Sequence, residues 1–205
     1  MLKIGLTGNM GSGKSVVAGI FRVLGVPVYH ADNESKKFLD DPEVIATIAD
    51  RFGNSVQTPD HRIDRKGLAS VVFTDSVALN WLNALLHPRV REDFRKWAAM
   101  QSGKPYIIQE AAIIFESGMS SEFDRIIHVS CPKETAVDRV VRRDGADSHS
   151  VLSRMRFQMD DGEKAKRSDY VILNDGSEPV IPQVLAIHKA ILKVCTERND
   201  DVAAR

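Results

Sequence analysis

The sequence predicts an α/β fold built on a doubly wound, parallel, five-stranded sheet. Short β-rich runs alternate with stretches of helical periodicity, which is typical of parallel strands joined by crossover helices. Each β-rich run is almost continuously apolar, as expected for strands buried on both faces. The predicted strands are Leu2–Thr7, Val26–His30, Pro105–Gln109, Arg125–Ser130 and Asp169–Leu173.

Two of the connections between these strands are too long for a single crossover helix. Asp32–Gly103 contains several helical patterns, and Lys133–Arg167 has helix-like basic stretches on both sides of the polar segment "RDGADSHS". Insertions above the strand ends of a doubly wound sheet usually carry specificity or form a lid. We therefore expect a core of residues 1–31, 104–132 and 168–198, a helical insertion of residues 32–103, a lid of residues 133–167 and a flexible tail of residues 199–205.

The composition restricts the partners that the chain can have. Of its 205 residues, 43% are apolar and 27% charged, as in ordinary soluble globular proteins. Lys and Arg together number 28, as do Asp and Glu, so no overall field attracts nucleic acid or anionic lipid. No apolar run approaches the roughly 20 residues that span a bilayer. These counts predict no nucleic-acid partner and no membrane partner, and they leave open whether the chain forms a homo-oligomer.

The cysteines and the first residues predict a cytoplasmic location. Cys131 and Cys195 lie far apart in the sequence and show neither metal-ligand nor C-x-x-C spacing. Both fall in apolar stretches, which favours buried, reduced thiols. Nothing at the N-terminus resembles a signal peptide, because Met1 leads straight into a predicted core strand.

The segment "GNMGSGKSVV", directly after the first predicted strand, fits the phosphate-binding pattern G-x-x-x-x-G-K-[ST] through Gly8, Gly13, Lys14 and Ser15, with a further glycine at Gly11. Glycines let backbone N–H groups converge on an anion. Lys14 can reach the β- and γ-phosphates of ATP, and the Ser15 hydroxyl can ligate Mg²⁺. The alternative is a glycine-rich turn that binds nothing. The buried strand before the loop and the helix after it favour the phosphate site.

Other features favour a small kinase over the remaining classes of P-loop protein. A GTPase needs a guanine-reading N-K-x-D segment, which the sequence lacks, since "NDGS" at Asn174 has the wrong order. The corresponding strand of an ATPase motor usually ends in Asp, whereas "PYIIQE" ends in Glu110. A chain of 205 residues also leaves little room for motor machinery. A kinase with a lid and an acceptor-binding insertion fits this length best.

Asp32 stands just beyond the second predicted strand. The carboxyl ends of parallel strands face the ligand crevice, so a carboxylate there can orient or deprotonate an attacking hydroxyl. Asp32 can equally be the N-cap of the helix "NESKKFL". Position alone leaves both interpretations open. His30, on the same turn, is interpreted as a strand-end residue.

The segment "AVDRVVRRDG" places three arginines on neighbouring turns of one helix. Arg139 and Arg143 are four residues apart and share a face, and Arg142 is three residues from Arg139. Arginine makes bidentate contacts with phosphate and can neutralise charge on a transferred group. A solvated face paired with the neighbouring acids explains the run equally well. Arg154 and Arg156 are further candidates for the same lid.

His87 precedes Pro88 in the middle of the helical insertion. The proline is expected to kink or restart the helix and to leave backbone groups and the imidazole free. The residues alone favour a structural histidine. Nearer the core, Glu110 and Glu116 flank "AAIIF" and are candidate carboxylates close to a metal, although Glu116 can also cap the following turn.

Taken together, these segments resemble dephospho-coenzyme A kinases. "IGLTGNMGSGKS", "ADNESK", "LNALLHPRV", "AAIIFESG", "RVVRRDG" and "DYVILNDGS" occur in the order seen in that family, from Leu2 to about Leu192. The P-loop is shared with many kinases. The L-H-P, F-E-S-G and R-x-x-R-R-D segments are much more specific.

The resemblance implies a P-loop kinase with a parallel core, a helical acceptor domain for the coenzyme A precursor, and a lid. It implies Mg²⁺-dependent transfer of the ATP γ-phosphate to the ribose 3′-hydroxyl of dephospho-coenzyme A, the last step of coenzyme A synthesis. Asp32 matches the family carboxylate that acts on the acceptor hydroxyl, and His87 matches a histidine of the acceptor motif. Arg139 and Arg143 match lid arginines. The residues implied to contact ATP, with the last two near its adenine, are Gly8, Gly11, Ser12, Gly13, Lys14, Ser15, Val16, Asn174 and Gly176.

Three positions depart from the family pattern. Val16 replaces the threonine common after the P-loop serine, but Ser15 retains the metal role. His30 stands where an aspartate often precedes A-D. "EAAIIFE" lacks a proline common in this segment and has Glu110 in place of the usual acid. The roles of His30 and Glu110 are therefore left unassigned.

Two other functions are compatible with the P-loop. A kinase for another small acceptor, such as a nucleoside or a shikimate-like molecule, shares the loop and the lid, and only the L-H-P segment argues against it. The second alternative is a P-loop switch protein that uses ATP to change partners. Such a protein would hydrolyse ATP slowly and would need no small acceptor.

Overall fold

A parallel sheet forms the centre of the computed structural model, which describes residues 1–203 except for the side chains of Asn54 and residues 199–203. The strand order is β2-β3-β1-β4-β5, and every pairing is parallel. The predicted five-stranded parallel sheet is confirmed, with strand limits that differ from the predicted ones by at most two residues. The strands are β1 (Leu2–Thr7), β2 (Val28–His30), β3 (Tyr106–Glu110), β4 (Arg125–Ser130) and β5 (Tyr170–Leu173).

α-Helices follow β1, β2, β4 and β5, as the alternating sequence pattern predicts, whereas β3 is joined to β4 by turns and the short 3-10 helix Ser120–Glu122. The bounds of the α-helices are α1 (Lys14–Val23), α2 (Ala31–Lys37), α3 (Pro42–Phe52), α4 (Arg65–Val72), α5 (Ser76–Ala99), α6 (Lys133–Asp144), α7 (Ser148–Met155), α8 (Asp161–Arg167) and α9 (Val180–Ala203). Part of the predicted flexible tail, residues 199–203, is included in α9, and residues 204–205 lie outside the described chain. None of the helices within residues 1–203 combines the length and apolar character that crossing a bilayer requires.

The described chain divides into two compact units. The first contains Met1–His30 and the described residues from Ala98 onward, and it includes the whole sheet. One face of the sheet packs against α1 and α9 through fully buried apolar side chains such as Ile4, Phe21 and Ile191. Strand β3 is buried along its whole length, as its apolar sequence predicts, whereas Val171 and Leu173 of the edge strand β5 are exposed.

The second unit, Ala31–Trp97, has its own apolar core. Val44 and Ile48 of α3 are fully buried, and the Trp81 ring meets the Phe52 ring edge-on at 5.3 Å between centroids. Trp81 thus belongs to this core, an environment that suits a large aromatic side chain.

Helix α5 continues without interruption through Pro88, so it does not restart there, and the alternative expectation of a kink stays a prediction. Proline removes one backbone hydrogen bond. Buried apolar side chains recur every four residues on both sides of it, so one face of the helix is removed from water before and after the proline. They are Leu82, Leu86, Val90 and Phe94.

Candidate active site

The P-loop connects β1 to α1 at the carboxyl edge of the sheet. Strand β1 ends at Thr7 and α1 begins at Lys14, with the glycine-rich segment between them. Strands β3 and β4 lie parallel to β1 on either side, so their carboxyl ends open onto the same edge. Parallel sheets bind their ligands at this edge.

Two P-loop glycines lie where other segments leave no space for a side chain. Gly11 has φ +82° and Gly13 has φ +94°, both in the left-handed region that favours glycine. A Cβ at Gly11 would collide with the Ala136 carbonyl of α6, and one at Gly13 would collide with the Asn174 side-chain amide. The loop backbone can therefore follow this path only without side chains at these positions.

The N-terminus of α1, like that of α6, lacks the side-chain cap that four other helices of the described chain have. Its N-cap is Gly13, which makes no side-chain cap bond, and the first turn contains no acidic residue. In contrast, α3, α4, α7 and α8 begin at aspartates that accept backbone N–H bonds. The positive end of the α1 dipole is thus left for an anion from outside the chain.

Polar groups around this helix start fit the phosphates of a nucleotide. Lys14 is only 8% exposed, and its Nζ donates to the Asn9 carbonyl at 3.4 Å. The Ser12 hydroxyl is buried and has no hydrogen-bond partner among the described residues. Ser15 and Val16 are exposed at the helix start. A phosphate at this loop would meet an ammonium, a hydroxyl and open backbone amides.

The described residues contain no group of three or more His, Cys, Asp or Glu side chains that could hold a metal ion. This finding is compatible with nucleotide-bound Mg²⁺, which keeps several waters and takes few protein ligands beside the phosphates. The exposed hydroxyl of Ser15 fits that limited role.

Asn174 follows β5 and supports the P-loop. Its backbone N–H donates to the Ser130 carbonyl at 2.9 Å, and its side-chain amide donates to the Ser12 carbonyl at 2.7 Å. Gly176, two residues later, has φ +91° and open space around it. The contact of both residues with adenine stays a prediction.

Two of the candidate arginines on α6 have different surroundings. Arg139 donates to the Cys131 sulfur at 3.4 Å and lies one turn after Ala136, which contacts the P-loop at Gly11. Arg143 makes two hydrogen bonds to the neighbouring Asp144, at 2.7 and 2.9 Å, and these raise the pKa of its guanidinium. Their contacts with phosphate stay predictions.

Two candidate carboxylates, one at the end of β3 and one in the turns that follow it, are paired with basic side chains. Glu110 ends β3 and lies 2.6 Å from His30, which ends β2. Glu116 lies 2.8 Å from the ammonium of Lys164, a residue that the sequence analysis did not select. Lys164 is fully buried, yet the surrounding "DGEKAKR" is typical of an exposed basic helix. No sequence signal marks its burial.

Asp32 lies in the first turn of α2 on an exposed surface. The helix begins at Ala31, so Asp32 is inside the helix and does not occupy the N-cap position that was the alternative interpretation. Its backbone carbonyl accepts a hydrogen bond from the Ser35 hydroxyl at 3.1 Å. A catalytic role for its carboxylate stays a prediction.

His87 is partly buried on α5. Burial, followed by the charge of Arg91, lowers the pKa of its imidazole below the ordinary 6.5. The ring is therefore neutral at neutral pH and can donate or accept a hydrogen bond to a ligand. Its contact with an acceptor stays a prediction.

Comparison with known proteins shows which protein family this chain resembles. A protein-family model described as dephospho-CoA kinase matches residues 2–179, a range that includes the P-loop, Asp32, His87 and the α6 arginines. A dephospho-CoA kinase of Bacteroides fragilis (strain YCH46) is 40% identical over 204 residues, covering 97% of this chain and 99% of that protein.

Two solved structures have the same fold as this chain. TT1252 from Thermus thermophilus is 34% identical with a TM-score of 0.80, covering 94% of this chain and 96% of that one. A dephospho-CoA kinase from Campylobacter jejuni is 25% identical with a TM-score of 0.67, covering 93% of this chain and 97% of that one. The similarity to these structures extends over nearly the full length of the chain.

Replacing Gly11 with alanine should weaken ATP binding. A left-handed alanine costs about 1–2 kcal/mol, and its Cβ would push the loop away from the Ala136 carbonyl. We expect ATP affinity to fall on the order of tenfold or more, measured by isothermal titration calorimetry. Gly19→Ala is the matched control, because a Cβ there meets nothing within 4 Å. Equal ATP affinity in the Gly11 and Gly19 variants would contradict the cradle geometry.

His87 should make the free energy of unfolding depend on pH. Its folded pKa lies below the ordinary 6.5, so the unfolded state binds more protons as the pH falls through that value. The contribution of the neutral imidazole to the free energy of unfolding should be complete above about pH 6.5. It should decrease as the pH falls from about 6.5 to the folded-state pKa and stay constant below that pKa. In His87→Asn, the loss of stability between neutral and mildly acidic pH, measured by urea unfolding, should be smaller than in the wild type. An unchanged pH dependence would show that the imidazole is not responsible.

Proposed function

This chain belongs to the dephospho-CoA kinase family, and we propose that it transfers the γ-phosphoryl group of ATP to the ribose 3′-hydroxyl of dephospho-coenzyme A. The products would be coenzyme A and ADP. Membership of a kinase family implies the use of a nucleotide. The acceptor rests on 40% identity to a dephospho-CoA kinase over 97% of the chain.

The uncapped start of α1 is the observation that carries the donor side of this proposal. Gly13 replaces a capping side chain, and the buried Lys14 ammonium lies beside the loop backbone. Phosphoryl transfer depends mainly on positioning and on stabilising the charge of the equatorial oxygens. Backbone amides, the helix dipole and Lys14 supply positive potential of that kind, with Gly8, Gly11, Ser12 and Val16 forming the rest of the cradle.

The charge of Mg²⁺, when bound, would help to neutralise the phosphates, and the Ser15 hydroxyl is the side chain proposed to hold it. The chain's own contribution is to keep that hydroxyl exposed at the second residue of α1. Asn174 and Gly176 are proposed to flank the adenine, and Asn174 also keeps the Ser12 carbonyl in place.

Asp32 is proposed to orient the acceptor hydroxyl and to accept its proton. It stands two residues after the end of β2, and its carboxylate is exposed. His87 is proposed to contact the acceptor by a hydrogen bond from its neutral ring. Both residues belong to the unit Ala31–Trp97, which is proposed as the acceptor domain.

Arg139 and Arg143 are proposed to stabilise the charge on the transferred group. Arg139 is on the helix that contacts Gly11, whereas Arg143 would have to exchange its Asp144 contacts for phosphate. The proposed lid, residues 133–167, would exclude water when it closes and so limit wasteful hydrolysis of ATP.

A cytoplasmic location is also proposed. Two buried free thiols, Cys131 and Cys195, suit a reducing compartment such as the cytoplasm. The acceptor is proposed as a small molecule, and the oligomeric state is left open.

A coupled ADP-release assay tests the proposed function. Purified protein is given ATP and Mg²⁺ with dephospho-coenzyme A, adenosine, shikimate or no acceptor. We expect ADP release to accelerate with dephospho-coenzyme A alone. Acceleration by another acceptor would favour a different small-molecule kinase, and equally slow turnover in every reaction would favour a switch protein.

Asp32→Asn should reduce kcat by roughly 10²–10⁴-fold, the usual contribution of a general base. ATP affinity should stay nearly unchanged, because the P-loop residues are intact. Asp50→Asn is the matched control, since Asp50 is exposed on α3 and the charge change is the same. Wild-type kcat in Asp32→Asn would exclude the proposed base.

A further inference from the structure

The segment between α7 and α8 contacts the first half of the P-loop. The Met10 backbone N–H donates to the Gln158 side-chain oxygen at 2.9 Å. The Asn9 side-chain amide donates to the Met159 carbonyl at 3.2 Å. These two bonds join segments that are almost 150 residues apart in the chain.

A buried ion pair holds the same segment from the other side. The Met159 N–H donates to Glu116 Oε1 at 2.8 Å, and that oxygen lies 2.8 Å from Lys164 Nζ. The ammonium also donates to the Ala112 carbonyl at 2.8 Å. Thr7, the last residue of β1, donates to that same carbonyl at 3.3 Å. Met159 is therefore fixed between the Lys164–Glu116 pair and the P-loop.

Stability alone does not account for the Lys164–Glu116 pair. The Lys164 side chain is 0% exposed and that of Glu116 is 18% exposed, so both groups are largely removed from water. A buried ion pair often contributes no more than apolar side chains of similar size. Methionine and leucine would fill such a space without this desolvation cost. The pair does, however, fix the position of Met159.

Asn9 connects this arrangement to the phosphate-binding lysine. Its carbonyl accepts from Lys14 Nζ at 3.4 Å and from the Ser12 N–H at 3.0 Å. Its side-chain oxygen is buried without a hydrogen-bond partner among the described residues, and its side-chain amide donates to the Met159 carbonyl. Displacement of Met159 would therefore shift Asn9 and the acceptor atom that orients Lys14.

We propose that Lys164, Glu116 and Gln158 are positioning residues for phosphoryl transfer, which hold Asn9 and Met10 so that the Lys14 ammonium is aligned. This inference rests on the proposed function, because it assigns Lys14 to the transferred phosphate. Gln158 holds the Met10 amide within the protein, whereas Gly13, at the start of α1, offers no side-chain cap to the first amides of that helix. A misplacement of about 1 Å in such a site can reduce the rate on the order of 10²-fold.

Two double variants separate the charge pair from the hydrogen bond. Lys164→Met/Glu116→Leu removes the charges and the acceptor for the Met159 N–H. Lys164→Met/Glu116→Gln removes the charges and keeps that acceptor. The matched control is Lys166→Met/Glu163→Leu, which removes an exposed ion pair of 2.7 Å on the same helix.

We expect kcat with dephospho-coenzyme A to fall about 10–100-fold in the Leu variant. ATP affinity should change less than about threefold, because the lost interaction acts in the transition state. The Gln variant should recover most of the rate, and the control should match the wild type. In a Lys14→Ala background the Leu change should have little further effect, since both act through the same group.

Wild-type kcat in a folded Leu variant would overturn the proposal, as would equal losses in the Leu and Gln variants. If the Leu variant does not fold, Gln158→Ala tests the positioning role instead. It removes the oxygen that accepts from the Met10 N–H and leaves the buried charges intact. Wild-type kcat in Gln158→Ala would then contradict a positioning role.

Hydrogen exchange keeps this proposal separate from the proposed function. Amides of residues 8–16 should exchange faster in the Leu variant and in Gln158→Ala than in the wild type, with β4 unchanged. This readout needs no acceptor. A wild type without dephospho-coenzyme A-dependent turnover would overturn the function, whereas unchanged exchange at the P-loop would overturn the positioning of Asn9 and Met10.

Discussion

The close approach of neighbouring segments to the P-loop backbone is the constraint on which the site depends. A Cβ at Gly8 would lie 2.5 Å from the Val129 carbonyl of β4, and one at Gly11 would collide with the Ala136 carbonyl of α6. The Asn174 amide occupies the corresponding space at Gly13. Strand β4, helix α6 and the segment after β5 are thus held at backbone distance from the loop, and side chains on those elements reach the same edge of the sheet.

The second feature of the site is local charge balance. The chain has a formal net charge of zero, so attraction of a nucleotide cannot come from an overall field. Lys14 and the positive end of α1 are local sources of positive potential at the P-loop. Other basic groups nearby, Lys164 and His128, lie beside the carboxylates of Glu116 and Asp161. Such pairing gives each of these largely buried groups a partner of opposite charge or a hydrogen bond.

His30 and Glu110, which both depart from the family pattern, contact each other in the structure. In the sequence they stand separately, a histidine in place of an aspartate and a glutamate in place of the usual acid. In the structure the two residues are register partners at the ends of β2 and β3, and their side chains lie 2.6 Å apart. An aspartate at position 30 would place two carboxylates together, whereas histidine gives the carboxylate a hydrogen-bond partner.

Much of this molecule follows from its sequence. Continuous apolar runs and glycine spacing predict the five strands, their parallel arrangement and the P-loop, because each depends on local periodicity or on the absence of a Cβ. The continuity of α5 through Pro88 depends instead on buried residues on both sides of the proline. The burial of Lys164 and its connection to Asn9 were decided by tertiary structure alone, since they join residues 112, 116 and 159 to the first loop. The residues next to a charged side chain in the sequence do not indicate which distant groups it will contact in the folded protein.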